Sequence, residues 1–286
     1  MNVHELIAWD LDEYPYRRAA VGIVGEEEFA KRIESARRQL AKRELYTNCS
    51  VLLIEETERI RPLLTACAER LDLQQEYEGL DWTLGVVDLS LLLAFQRRLV
   101  FGAVHHPSAV PQQTDWPQLV ALAVGPKKDT EYRLVYNDCA SNNLDISLHS
   151  ANPDLQLRLS PNAEGDGHSP LSLYGGSPFF EATELRGRWY LRDGYHRAYR
   201  LLQAGVYHVP AVVIRARTLE ELGATDPWFF SEDILFSDRP PRIADFLEED
   251  LVLRYERTPL RKVIRVRIEE SLQPVDSIEE IQGDEL

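Results

Sequence analysis

Hydrophobic and polar positions change their spacing along this chain, and the change predicts where helices and strands lie. Apolar residues recur with helical spacing over residues 26–41 and 50–73. Pro62 in the second stretch predicts a kink or a new helix that begins there. Over residues 118–159 the spacing approaches two, which is typical of strands. The strands predicted in this part are 119–124, 132–136, 145–148 and 155–159.

Two other stretches carry clear patterns. Residues 82–101 are mostly apolar and predict a short strand followed by a helix from about Leu89, with Asp88 as its N-cap. Residues 261–268 alternate basic and apolar side chains, which is typical of an edge strand whose charges discourage pairing with other chains. Short helices are predicted at 218–222 and 245–247.

The mixture of helical and strand patterns predicts an α+β protein in four consecutive segments. These are a helical N-terminal region at 1–78, a strand and helix segment with an antiparallel sheet extension at 79–160, a motif region at 161–216, and a C-terminal extension with an acidic tail at 217–286.

Residues 189–214 predict a strand, a tight turn, a short helix and a second strand. Gly194 supplies the positive φ that a sharp strand-to-helix turn needs, and Asp193 before it is a good N-cap. Gly205 fits the position that ends the helix. Pro210 lies inside the second strand and lacks an N–H, so it should mark the start of that strand or an unpaired edge position. The helix residues expected to face the core are Tyr195, Ala198, Tyr199 and Leu202.

Composition narrows the classes of function. The 286 residues carry a formal net charge of −15, which argues against nucleic acid as a main partner, because phosphate contacts dominate that affinity. The sequence shows neither a basic-then-apolar leader nor a run of about 18 apolar residues, so we expect a cytoplasmic protein without membrane contact.

Cysteine and histidine spacing predicts no metal site. Cys49, Cys67 and Cys139 are widely spaced and match neither a disulfide framework nor a Cys-x-x-Cys pair. We expect them to act as small apolar residues. His105 and His106 lie in a predicted loop, and a metal there would need further ligands that the sequence does not indicate.

Cationic side chains crowd the turn and the first helical turn of the 189–214 segment. They are Arg192, His196, Arg197 and Arg200. A helix N-terminus disfavours cations by roughly 0.3–1 kcal/mol each unless an anion lies among them, so the segment predicts an anion site, above all for phosphate. The alternative is that Asp193 pairs with Arg197 and that His196 is a structural histidine. Ser177, in a glycine-rich turn, either completes an anion nest or lies in an ordinary turn.

These residues resemble the ParB/sulfiredoxin superfamily, whose motif is a strand, an Asp-Gly-x-x-Arg or Gly-x-His-Arg turn, a helix, then Gly and Val-Pro before another strand. The matching residues are Asp193, Gly194, His196, Arg197, Gly205, Val209 and Pro210. The resemblance covers about residues 175–215. Tyr195 stands where sulfiredoxins carry their catalytic cysteine, which excludes their chemistry. Free-serine kinases of the family, with Asp-Gly-His-His-Arg, come nearest, although their upstream catalytic carboxylate aligns with no residue here.

The resemblance implies a mixed sheet with helices and a nucleotide, such as ATP, ADP or CTP with Mg²⁺, bound at this turn. In that interpretation Arg197 and Arg200 hold phosphate oxygens, since the planar guanidinium matches them bidentately. Arg192, Gly194 and Ser177 complete the binding site.

Three residues are candidates for catalysis at this turn. His196 would stabilise charge on a transferred phosphoryl group or relay a proton. Asp193 would orient His196 or hold a metal, and Glu181 in the preceding strand is the candidate general base.

The sequence leaves two functions open. One is a phosphate- or nucleotide-binding protein of this family, in its concrete form a small-molecule phosphotransferase or a nucleotide hydrolase. The other is a non-catalytic binding or scaffold protein that retains the fold and contacts a protein partner through its N-terminal helices or C-terminal tail.

Overall fold

The computed structural model describes residues 1–9, 22, 24–101, 110–126, 132–140, 143–152, 155–159, 171–225 and 229–269. The chain divides into two compact units. The first is Met1–Lys128 with Ser177–Pro259, and the second is Asp129–Gly176 with Leu260–Leu286. The boundaries between the units therefore fall after residues 128, 176 and 259, whereas the segment boundaries predicted from the sequence fall after residues 78, 160 and 216.

The fold is α+β, as predicted. In chain order the strands are β1 (Asn2–Leu6), β2 (Trp82–Asp88), β3 (Leu93–Ala94), β4 (Arg98–Phe101), β5 (Arg133–Ala140), β6 (Asn143–Ser150), β7 (Gln156–Leu159), β8 (Leu171–Tyr174), β9 (Glu181–Leu185), β10 (Arg188–Asp193), β11 (His208–Arg215), β12 (Val252–Glu256) and β13 (Lys262–Glu269). The α-helices are α1 (Glu26–Lys42), α2 (Ile54–Arg59), α3 (Arg61–Ala68), α4 (Leu71–Glu76), α5 (Trp116–Val124), α6 (Tyr195–Gln203), α7 (Leu219–Leu222) and α8 (Glu232–Leu235). Short 3₁₀ helices lie at Leu89–Leu91 and Ile243–Leu247.

A five-stranded mixed sheet of order β2-β11-β9-β10-β3 forms the centre of the first unit. Strands β9 and β10 are an antiparallel hairpin, and β11 runs parallel to β9 on its other side. The hairpin turns at Arg186 and Gly187, whose φ values of 53° and 78° match the two positive values of a type I′ turn. A second sheet of this unit, β12-β1-β4, is antiparallel throughout.

Helix α6 connects β10 to β11, as the sequence predicted for this segment. Its predicted core stripe is buried, and its members are Tyr195, Ala198, Tyr199 and Leu202. Gly205 follows the end of the helix with a φ of 76°, which confirms its predicted role. The local pattern therefore predicts both the helix and the face that it buries.

Pro210 lies near the start of β11, in agreement with the prediction. Pairing of β11 with β9 begins at Val212, whose N–H donates to the Phe180 carbonyl at 2.8 Å. Residues two apart in a strand point their backbone groups the same way, so the ring nitrogen of Pro210 faces the β9 side of β11, like the N–H of Val212. At Pro210, however, pairing with β9 has not yet begun. No ladder hydrogen bond is lost.

Gly194 is required by both backbone conformation and packing. Its φ is 97°, and a Cβ placed on it would lie 2.7 Å from Cδ2 of the buried Phe180 ring. Gly194 itself is the N-cap of α6, so the prediction of Asp193 as N-cap is wrong. A register shift keeps Asp193 at the end of β10, where its Oδ1 accepts a hydrogen bond from Gly194 N at 2.5 Å.

Three predicted elements differ in the structure. Residues 2–6, within the predicted helical region, form β1, which pairs with β4 and β12. Residues 119–124 belong to helix α5 instead of a strand; Asp115 caps this helix by accepting from Gln118 N at 3.2 Å. The helix predicted from Leu89 is one 3₁₀ turn followed by strands β3 and β4. The apolar run 119–124 is compatible with either element, and the local helix start at Asp115 decides it. Strands β1, β3 and β4 form because they pair with distant strands.

Other predicted elements are confirmed. Helix α1 covers 26–41, and α3 carries Pro62 in its first turn. Helix α7 is capped by Thr218, whose side chain accepts from Glu221 N. Helix α1, with 17 residues, is the longest in the described part of the chain. No helix among the described residues is long and apolar enough to cross a membrane.

The second unit is built from strands that alternate as predicted. Its three-stranded antiparallel sheet has the order β13-β6-β5, so β13 is the edge strand expected at 261–268. Strands β7 and β8 pair separately as an antiparallel ribbon.

We expect Gly194→Ala to lower the free energy of unfolding by more than Gly205→Ala does. Both substitutions impose left-handed backbone strain of roughly 1–2 kcal/mol. A Cβ at position 194 would also meet the Phe180 ring, whereas nothing lies within 4 Å of a Cβ at position 205. Urea denaturation of both variants measures the difference. Equal losses would mean that Phe180 moves aside without cost.

We also expect stability to fall as the pH drops below about 6.5, in part through His4. Its ring packs against Phe101 and Tyr199, and its Nδ1 is buried without a partner among the described residues. Burial first, and Arg254 second, lower the pKa of His4. The folded state therefore binds this proton less readily than the unfolded state.

Denaturation midpoints at pH 7.5 and 5.5 check this for wild type and His4→Phe. The variant should lose less stability on acidification than wild type. Parallel losses would remove His4 as a contributor.

Candidate functional site

The end of β10 and the start of β9 bring several polar side chains of the first unit together. Asp193 lies opposite Glu181 in the register of the hairpin, and Arg192 precedes it. Tyr77, after α4, and Ser177, before β9, reach the same place. We call these five residues the Arg192 cluster.

The carboxylate of Glu181 is the buried centre of the Arg192 cluster. Only 1% of Glu181 is exposed. Its Oε2 accepts from Arg192 Nη1 at 2.8 Å, and its Oε1 accepts from the Tyr77 hydroxyl at 2.5 Å. Burial and the adjacent negative charge of Glu181 raise the pKa of Tyr77. The phenol therefore remains a hydrogen-bond donor to this carboxylate.

Arg192 connects the buried carboxylate to the surface. Its side chain is 27% exposed. Among the described residues it makes one hydrogen bond, from Nη1 to Glu181. An arginine has five N–H donors in a planar fork, so the remaining ones can meet an anion. Glu181 thus orients a guanidinium whose outer face is available.

Arg197 has a different environment. Its Nη1 donates to the carbonyl oxygens of Leu122 and Pro178 at 3.0 and 2.6 Å, and its Nη2 donates to that of Phe179 at 2.7 Å. Burial lowers the pKa of this guanidinium, and Asp193 at 3.9 Å counters the effect. Three of the five N–H groups of Arg197 thus bind main-chain carbonyls, and a phosphate could reach the guanidinium through Nε or the second N–H of Nη2.

His196 and Arg200 lie on another face of α6. The Nε2 of His196 is 3.0 Å from the Val100 carbonyl oxygen, and its ring meets Phe101 edge-on. Arg200 is partly exposed and has no hydrogen bond or ion pair within the described part of the chain. The candidate catalytic residues are therefore divided, with His196 against β4 and with Asp193 and Glu181 at the hairpin.

Ser177 is the member of the Arg192 cluster that contacts Tyr77. Its Oγ accepts from Phe179 N at 3.2 Å and is 3.4 Å from the Tyr77 hydroxyl. The hydrogen bond to Phe179 N is that of an ordinary serine turn. Ser177 thus reaches Arg192 only through Tyr77 and Glu181 among the contacts of the described residues.

The sequence did not single out Tyr77. It is 104 residues from Glu181, and no spacing or motif signals a contact over that separation. Gly223 was missed in the same way: a Cβ there would lie 3.7 Å from Arg192 Nε.

The side chains present decide whether a metal ion fits. Among the described residues no group of three or more His, Cys, Asp or Glu side chains could hold one. Mg²⁺ does not fit here as a metal bound by the protein alone; it usually joins a site through one or two carboxylates and the phosphates of its ligand.

Comparison with protein-family models, curated proteins and solved structures finds no match to this chain. The resemblance to the ParB/sulfiredoxin superfamily thus stays a prediction based on the residues of the 175–215 segment. The function has to be argued from the site itself.

We expect Arg197→Met to destabilise the protein with or without an anion. It leaves three carbonyl oxygens without their donor, at roughly 1–3 kcal/mol for each buried group. Arg200→Met on the same helix is the control, since it breaks no hydrogen bond to a described residue and should stay within about 0.5 kcal/mol of wild type. Urea unfolding at fixed phosphate concentrations provides the measurement. Similar losses for both variants would mean that the carbonyls find other donors.

Proposed function

We propose that this protein binds a phosphate-bearing small molecule of the nucleotide class at the Arg192 cluster. One observation carries the proposal: Arg192 is held by a buried carboxylate through a single nitrogen and is partly exposed. Arginine forks held in this way suit bidentate recognition of phosphate.

The adjacent helix end adds to this attraction. Helix α6 begins directly after Gly194, and no side chain caps its first-turn amides. Uncapped N–H groups at a helix N-terminus favour an anion. The charges of Glu181, Asp193, Arg192 and Arg197 cancel, so the helix end and the unbonded donors of Arg192 supply the preference for an anion.

Binding is better supported than catalysis. Both oxygens of Glu181 already accept hydrogen bonds, from Tyr77 and Arg192. In this arrangement Glu181 positions Arg192, and a role as general base would require one of these bonds to break. A phosphotransferase or nucleotide hydrolase is the further form of the proposal, with Mg²⁺ arriving together with a triphosphate.

A second candidate is the non-catalytic binding or scaffold protein. It is favoured by the structural use of three residues of this turn and helix, of which Gly194 and Arg197 belong to the motif. Gly194 makes room for Phe180, the Tyr195 hydroxyl accepts from Phe95 N at 3.0 Å, and Arg197 binds carbonyls. The motif would then be retained for folding alone.

We expect nucleotides to raise the melting temperature of wild type and to bind Arg192→Lys at least about tenfold more weakly. Lysine keeps the charge beside Glu181 but loses the fork. The panel is phosphate, sulfate, ADP, ATP, CTP and GTP, each with and without Mg²⁺. A ligand at about a hundred times its Kd adds roughly 2.7 kcal/mol, enough for a shift of several degrees.

Arg186→Gln is the matched control. Arg186 is an exposed arginine at the other end of the same hairpin, paired with Glu232 at 2.5 Å. It should bind nucleotides like wild type. No shift with any anion would favour the scaffold candidate, and an equal shift in Arg192→Lys would exclude the Arg192 cluster as the site. Phosphate release from ATP or CTP by the wild type would establish the enzymatic form.

A further inference from the structure

A groove of about 390 Å³ lies in the second unit, at the end of the β13-β6-β5 sheet where β5 begins. Its lining residues are Tyr132, Arg133, His149, Ser150, Ala151 and Asn152. All six belong to the second unit and none belongs to the Arg192 cluster. The volume is within the range of roughly 300–1,000 Å³ that small-ligand sites occupy.

Two potential cations face each other across this groove. Arg133 on β5 and His149 on β6 are directly opposite in the antiparallel register, so their Cβ atoms are neighbours on one face of the sheet. Neither side chain has a hydrogen bond or ion pair with a described residue. Such a pair is unfavourable when both are charged, unless an anion lies between them.

Another arginine of this sheet is paired with a carboxylate. Arg267 on β13 lies opposite Asp145 on β6, and their side chains are 3.4 Å apart. The six groove residues include no carboxylate. In a chain with 47 acidic and 32 basic residues, a groove whose described lining combines an arginine with a histidine and carries no carboxylate suits a negative ligand.

Hydrogen bonds hold one wall of the groove in place. The Asn152 N–H donates to Ser150 Oγ at 3.1 Å, and Asn152 Nδ2 donates to the Gly175 carbonyl at 2.7 Å. Tyr132, about half exposed, adds a phenol at the start of β5. The chain after β6 is thus fixed beside Arg133 and His149, which lowers the entropy lost when a ligand is ordered there.

We propose that this groove binds a small oxyanion, a phosphate or a carboxylate group, with Arg133 as the principal contact and His149 as the second donor. The Arg133 fork provides two parallel N–H groups for such an oxyanion. The site does not depend on the function proposed for the Arg192 cluster, since the two share no residue.

Isothermal titration of the full chain with inorganic phosphate, and separately with acetate, tests the proposal. We expect Arg133→Gln to bind the anion that wild type prefers at least about tenfold more weakly. The affinity of Arg133→Lys should lie between those of wild type and Arg133→Gln, and His149→Gln should bind the anion about threefold more weakly than wild type. The titrations also decide between phosphate and carboxylate as the preferred group.

Two controls separate this groove from other anion contacts. Arg265→Gln removes an arginine of the same sheet that does not line the groove, and it should bind like wild type. Arg192→Lys should retain the heat of anion binding that is lost in Arg133→Gln. Equal affinities in Arg133→Gln and Arg265→Gln would overturn the proposal, as would the absence of binding of both anions at about 10 mM.

The variants should remain folded. Arg133 is exposed and makes no hydrogen bond to a described residue, so the urea midpoints of Arg133→Gln and wild type should agree. If Arg133→Gln were destabilised, the folded His149→Gln variant would carry the test, and its unchanged affinity would overturn the role of His149.

Discussion

The guanidinium of Arg197 sets the position of helix α6 in the larger unit. It joins three carbonyl oxygens, one from the end of α5 and two from the residues before β9. Carbonyl oxygens and a guanidinium that are partly withdrawn from water are each costly without a partner, and here each satisfies the other. Helix α6 is therefore held against β9, and its N-terminal Gly194 comes close enough to Phe180 to exclude any side chain.

This constraint places Arg192 at the surface. Because β10 and α6 meet at Gly194, against the ring of Phe180, Arg192 near the end of β10 has a defined position beside Glu181. Two arginines five residues apart thus have different roles: Arg197 binds the main chain, and Arg192 presents donors outward. A side chain held in advance loses less entropy on binding, which favours a specific anion over a diffuse one.

Much of the fold could be predicted from local signals. Strand β10, the turn at Gly194, helix α6 and strand β11 follow from spacing and from residues with special backbone requirements. Residues 119–124 form a helix, and the strand prediction was wrong because a continuous apolar run has no distinctive period. The signal that could have corrected it was local: Asp115 followed by Trp116 and Pro117 is a helix start.

For the candidate site, the sequence by itself determined which cations gather near one turn and which face of α6 enters the core. Only the tertiary structure decided that Arg197 binds carbonyls, that His196 turns to β4, and that Tyr77 joins Glu181. The reason is physical. Backbone preferences act over a few residues and are written in the local sequence, whereas the partner of a buried polar group is whatever the folded path brings within about 3 Å of it.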